Sequence, residues 1–121
     1  MAGKVFYNKL IRDAIPEKIA KAGATCETRE LSDEEYEREL IRKIAEEGSG
    51  VLAATTREEL IEELADVQDV IDEIKRFKGV SDEELAAAQA NALAKKGGFT
   101  KRLFLLWSSD DGYKTNEKNN G

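Results

Sequence analysis

TREELIEELADVQDVIDEIKRFKG, residues 56–79, decides the fold of this chain. Leu60, Leu64, Val67, Ile71 and Ile74 recur in steps of four and three. That spacing lines one face of an α-helix and cannot line one face of a strand. Thr56-Arg57-Glu58-Glu59 has the form of a capping box, and Gly79 is a stop signal, so the spacing predicts a helix over about 57–78.

On the N-terminal side, Ser32-Asp33-Glu34-Glu35 is a second capping box, with Tyr36, Leu40 and Ile44 forming one stripe behind it. This predicts a helix to about Glu47, which Gly48-Ser49-Gly50 should weaken, each glycine costing about 1 kcal/mol relative to alanine. Earlier still, residues 4–10 (KVFYNKL) read as extended, and Asp13 reads as the cap of a helix over about 14–22. Pro16 is tolerated in its first turn and Gly23 ends it. Residues 24–31 alternate weakly, as a short strand or an extended connector.

On the C-terminal side, Ser81-Asp82-Glu83-Glu84 opens a further helix to about Lys96, stopped by Gly97-Gly98. FTKRLFLLW at 99–107 is β-prone or a packed extended arm, in which Phe104 and Trp107 could stack a base but read first as a hydrophobic clamp onto the bundle. From Ser108 the composition is polar and rich in glycine and asparagine. The expected architecture is all-α: one helical bundle over 1–107 with minor extended segments near both ends, then a disordered tail over 108–121.

Composition narrows the function. A chain of 121 residues is one domain's worth, and 36% charged residues with 7% aromatics suits helices with solvated faces. No run of about 18 apolar residues is present, which excludes a helical membrane span, and no secretory signal is visible at the N-terminus. Cys26 is the lone cysteine, so a reducing cytoplasm is expected. The net charge of −6 argues against binding nucleic-acid polymers or anionic membranes. With no histidine, zinc sites and histidine-based nucleophilic catalysis are out of reach. Carboxylates, lysines, arginines or a metal must carry any chemistry.

The acids of the long helix fall on an unexpected face. At about 100° per residue, Leu60, Leu64, Val67, Val70, Ile71 and Ile74 all lie within roughly 100° of Glu63. Glu63 is therefore inside the apolar stripe, and Asp66 is at its edge. A carboxylate in a dry core costs several kcal/mol unless it is paired or bound to a cation. A wet stripe edge or a facing lysine would be the ordinary explanation. Glu47, however, lies beside the stripe of the preceding helix and also points inward. Two helices aiming acids at one space make an all-oxygen site suited to Mg²⁺ or Mn²⁺. Such ions bind substrate phosphates, so phosphate transfer or hydrolysis is the indicated chemistry.

Lys43-Ile-Ala-Glu46-Glu47 followed by Glu63-Leu-Ala-Asp66 resembles the signature of the MazG-like all-α nucleoside triphosphate pyrophosphohydrolases. Tyr7-Asn8-Lys9-Leu10-Ile11-Arg12-Asp13-Ala14-Ile15-Pro16 resembles the opening of a predicted house-cleaning subgroup, and Lys95-Lys96-Gly97-Gly98-Phe99 with Lys101 resembles its C-terminal block. The resemblance covers about residues 6–104. It implies Mg²⁺-dependent cleavage of a nucleoside triphosphate into the monophosphate and pyrophosphate, acting on modified or surplus nucleotides. It further implies Glu47, Glu63 and Asp66 as metal ligands. Glu46 and Glu47 would be the catalytic acids, Glu46 supporting the site or orienting the attacking water. Lys43 would meet a phosphate, and Lys9, Arg12, Lys95, Lys96 and Lys101 would add substrate contacts.

The signature calls for a fourth acid at position 50, where this chain has Gly50. A water or Glu59 could complete the shell, or the site could be eroded, in which case Gly50→Glu should restore it. Two alternative functions follow: a catalytically weakened nucleotide-binding or regulatory protein, and a phosphoribosyl-ATP pyrophosphohydrolase. A plain helical interaction module is a third. Among the remaining acids, Asp69 is placed to support a ligand and Asp72 to face solvent. The wide apolar face of helix 57–78 predicts association at least as a homodimer.

Overall fold

The computed structural model describes residues 3–110, and the chain over them is all-α, with four helices and no strand. These are α1 (Ile15–Lys21), α2 (Asp33–Ala53), α3 (Arg57–Lys78) and α4 (Asp82–Lys96). None of the described helices is long and apolar enough to cross a membrane. The chain forms two compact units, one up to Leu85 and one from Ala86 onward.

In the first unit, α1 begins at Ala14 without a side-chain cap. Asp13 was expected there. The Arg12 carbonyl instead accepts the Ile15 N–H at 3.1 Å, so a backbone turn satisfies the exposed donor. Residues 24–31 form a largely exposed connector without a strand. α2 opens on the expected capping box: Glu35 N–H donates to Ser32 Oγ at 3.3 Å and Ser32 N–H to Glu35 Oε1 at 3.1 Å. Arg29 clamps the same carboxylate at 3.1 and 2.7 Å. Its guanidinium, helped by the capping hydrogen bond from Ser32, brings the Glu35 carboxyl down to about 2.

α2 then runs straight through Gly48-Ser49-Gly50 to Ala53, past the expected end near Glu47. Half-buried Val51 is seven residues after Ile44 and resumes the same stripe, so burial along α3 outweighs the weak helix propensity of two glycines. Gly48-Ser49-Gly50 is thus part of the continuous helix.

A three-residue connection, 54–56, folds α3 back antiparallel on α2. Thr56 caps α3, its hydroxyl accepting the Glu59 N–H at 3.1 Å. The box is not closed on Thr56, because the Glu59 carboxylate accepts from Thr55 N–H at 2.9 Å and Thr55 Oγ1 at 3.2 Å. Gly79 ends α3 in the left-handed region at φ 67°, letting Val80 N–H reach the Lys75 carbonyl at 2.9 Å. Leu40 and Val70, 4% and 9% exposed, are the buried apolar residues of the described chain. Leu60, Leu64, Ile61 and Ile41 stay exposed, between 39% and 55%. The first unit by itself thus leaves Leu60 and Leu64 of the α3 stripe open to solvent.

Ser81 and Glu84 close the third capping box at 3.0 and 3.1 Å to start α4. In the second unit, α4 ends at Gly97, φ 79°. A turn follows, with Arg102 N–H on the Phe99 carbonyl at 3.0 Å and Arg102 itself at φ 61°. Residues 103–107 are exposed and form neither a strand nor a packed arm. Phe104 is 86% and Trp107 79% exposed, so neither ring is a clamp. Residues 108–110 lack regular structure, and 111–121, the rest of the expected tail, lie outside the described residues.

Candidate metal centre

Antiparallel packing brings Glu47 on α2 level with Glu63 and Asp66 on α3, because the two helices run away from the same short connection. One carboxylate oxygen from each lies within 4.8 Å of the other two. All three side chains are half-buried. The three expected ligands therefore meet, in wetter surroundings than the apolar stripe suggested. Three like charges this close repel, by roughly 1 kcal/mol per pair at 4 Å even in bulk water.

Cations answer two of the three. Lys43, one turn before Glu47, places Nζ 3.7 Å from it and 3.0 Å from Glu46. Arg12 donates to Asp66 at 2.8 Å and bridges to Asp69 at 2.9 Å. Lys9 completes the ring of charge on Glu46 at 3.1 Å. Glu63 has no hydrogen bond or ion pair among the described residues. The group thus sets five carboxylates against three cations, a surplus of two negative charges. A divalent cation would balance that surplus, and an all-oxygen donor set suits Mg²⁺ or Mn²⁺. The residues present fit such an ion.

Glu46 lies outside the triad, between Lys43 and Lys9. Partial desolvation pulls its carboxyl up, but the two ammonium hydrogen bonds together outweigh this and hold it below the usual range. Asp69, placed by the sequence as a supporting group, acts through Arg12. Asp72 is exposed, accepts a hydrogen bond from Gln68 at 2.9 Å and lies close enough to Lys75 to favour its charge. Lys9 and Arg12 do not share a helix face, since residues 4–12 are not helical. Both nonetheless reach the acids of α2 and α3.

Position 50 is helical and faces the triad: a Cβ built there would lie 2.2 Å from Glu63 Oε2. Glu59 cannot complete the shell while its carboxylate caps α3 at Thr55. Lys95, Lys96 and Lys101 belong to the second unit, where Lys96, Lys101 and Arg102 line a cleft of about 450 Å³ around Gly97-Gly98.

Two features were not foreseen. Tyr36 donates its hydroxyl to Glu73, which also takes two hydrogen bonds from Arg76 at 2.6 Å. The spacing of Glu73 and Arg76 was readable as a helical pair, but the tyrosine contact requires knowing how α2 meets α3. The Arg12 bridge spans 54 residues to Asp66 and has no local signal.

No family model matches the chain, and no solved structure matches it. An uncharacterized protein of Mycolicibacterium smegmatis is 44% identical over 54 residues, which is 45% of this chain. The chain spans 55% of that relative's length.

Proposed function

We propose that this chain is a Mg²⁺-dependent nucleoside triphosphate pyrophosphohydrolase acting on modified or surplus nucleotides. The observation that carries the reading is the convergence of Glu47, Glu63 and Asp66 from two helices, with Lys43 and Arg12 at its rim. Glu47, Glu63 and Asp66 would hold the ion. Bound there, Mg²⁺ would neutralise charge on the phosphate oxygens and so lower the barrier to attack by water. Lys43, Lys9 and Arg12 already carry their charge at the site, and each can exchange a carboxylate for a phosphate oxygen. Glu46 is ionised at neutral pH and can accept a hydrogen bond from the attacking water, orienting it. Water adds to the α-phosphorus, the bond to the bridging oxygen breaks, and monophosphate and pyrophosphate leave. Lys95, Lys96 and Lys101 are proposed as further phosphate contacts.

The working form is proposed to be at least a homodimer. Its support is the exposure of Leu60, Ile61 and Leu64 on α3, which the first unit by itself leaves uncovered.

The test is pyrophosphate release from a panel of nucleoside triphosphates, with and without MgCl₂. Mg²⁺-dependent release that is lost in Glu63→Gln is the expected result. Nucleotide binding without turnover would move the chain to the regulatory class, and no binding to the interaction class.

A further inference from the structure

α2 carries two glycines close together, and only one of them has something in the space that its side chain would fill. A Cβ at Gly48 would meet nothing within 4 Å. A Cβ at Gly50 would lie 2.2 Å from Oε2, 2.8 Å from Cδ and 3.4 Å from Oε1 of Glu63. Neither glycine adopts a positive φ, so backbone freedom is not what either position uses. Glycine in the middle of a helix is unfavourable, and what it provides at position 50 is room. The carboxylate of Glu63, reaching across from α3, occupies that room beside Glu47 and Asp66. An alanine there would displace the carboxylate and leave the helix intact, because the atoms in the way are the far end of a flexible side chain.

We propose that Gly50 is a positioning residue: its missing side chain lets the Glu63 carboxylate close against α2, so that three acids rather than four make the divalent-cation site. This rests on the cation-site reading above. A three-carboxylate site leaves more of the ion's coordination sphere to water and substrate phosphate, which is how Mg²⁺ is usually held. On this account Gly50 is no eroded ligand, and Gly50→Glu drives Glu63 away.

The test is calorimetric titration of the full chain with MgCl₂, and with MnCl₂, in wild type, Gly48→Ala and Gly50→Ala. Both substitutions bring the same gain in helix propensity, so Gly48→Ala controls for the backbone. Wild type and Gly48→Ala should bind alike, and Gly50→Ala should bind roughly tenfold more weakly or worse, with an unchanged or higher melting temperature without metal. In a Glu63→Asp background, whose shorter side chain stops short of α2, Gly50→Ala should cause no further loss. Equal binding by the two alanine variants overturns the role of Gly50 while the cation site stands. A Gly50→Ala chain that unfolds, or a further loss in the Glu63→Asp background, marks a general structural role and overturns it too. A wild type that binds neither ion overturns the cation-site reading, and the proposal with it.

Discussion

The α2–α3 hairpin has two ends, built from the same helices and the same apolar stripe, that treat their carboxylates in opposite ways. Far from the connection, Tyr36 and Phe77 meet edge to face with ring centroids 5.0 Å apart. There Glu73 takes hydrogen bonds from Arg76 and Tyr36, and Glu37 pairs with Lys78. Arg76 first, and Tyr36 second, bring the Glu73 carboxyl down to about 2, while partial burial and the Glu73 contact push the Tyr36 hydroxyl up to about 12. Near the connection, Glu47, Glu63 and Asp66 crowd together, and Glu63 has no partner among the described residues. Acids fully answered by donors fasten two helices together. Acids held in surplus keep their lone pairs available, which is the condition for binding a cation.

The sharpest way to break this contrast is to neutralise one acid at each end. Glu63→Gln should abolish Mg²⁺ binding by calorimetry and raise the metal-free stability by roughly 0.5 kcal/mol, since a repulsive charge is removed. Glu73→Gln should leave Mg²⁺ affinity unchanged and cost roughly 1 kcal/mol in denaturant unfolding, since it weakens charge-assisted hydrogen bonds. Unchanged affinity in Glu63→Gln would sink the assignment of the open end.

The next effect concerns the stripe the two ends share. Leu64 is 51% exposed in the single chain. The proposed self-association should be lost in Leu64→Glu by light scattering, whereas a compact wild-type monomer at micromolar concentration would remove the case for it.

Acidification should act most strongly through the closed end. Glu73 and Glu35 both titrate near 2 when folded, below the ordinary 4.5. A depressed carboxyl contributes stability above its unfolded pKa and loses it as pH falls toward the folded value. The melting temperature should therefore drop between about pH 4.5 and 2, and Glu73→Gln should flatten part of that slope. The same slope in the variant would show that the Tyr36, Glu73 and Arg76 cluster contributes nothing. The smallest effect is expected from Lys9→Ala, which removes an exposed ion pair and should change stability by under about 0.5 kcal/mol. Its mark should be weaker nucleotide binding, and an unchanged nucleotide affinity would leave Lys9 a surface charge.

What was legible in the sequence follows the range of the interactions. The bounds of α3 and α4 were readable because periodicity and stop signals are local, and so were the inward angles of Glu47, Glu63 and Asp66. The end of α2 was not, because propensity at Gly48 and Gly50 pointed one way and packing of Val51 along α3 pointed the other. Glu59 looked like a spare ligand by its helical angle, yet a hydrogen bond to Thr55, four residues away, claims it. The exposure of Phe104 and Trp107 was hidden for the opposite reason: an apolar run states that cover is wanted and not that it is present.

Arg12 has one more consequence. The stretch before α1 has neither helix nor strand to anchor it; beside the half-buried Leu10 and Ile11, its charged tether to α3 is a guanidinium lodged between Asp66 and Asp69, with Lys9 on Glu46 as a second tie to α2. All of these contacts are solvent-accessible, so dissolved ions compete with them directly. At 1 M ionic strength the screening length shrinks to about 3 Å, no longer than the contacts themselves. Residues 4–12 are therefore the part of the first unit that salt loosens first, while Tyr36 and Phe77, held by apolar contact, stay closed.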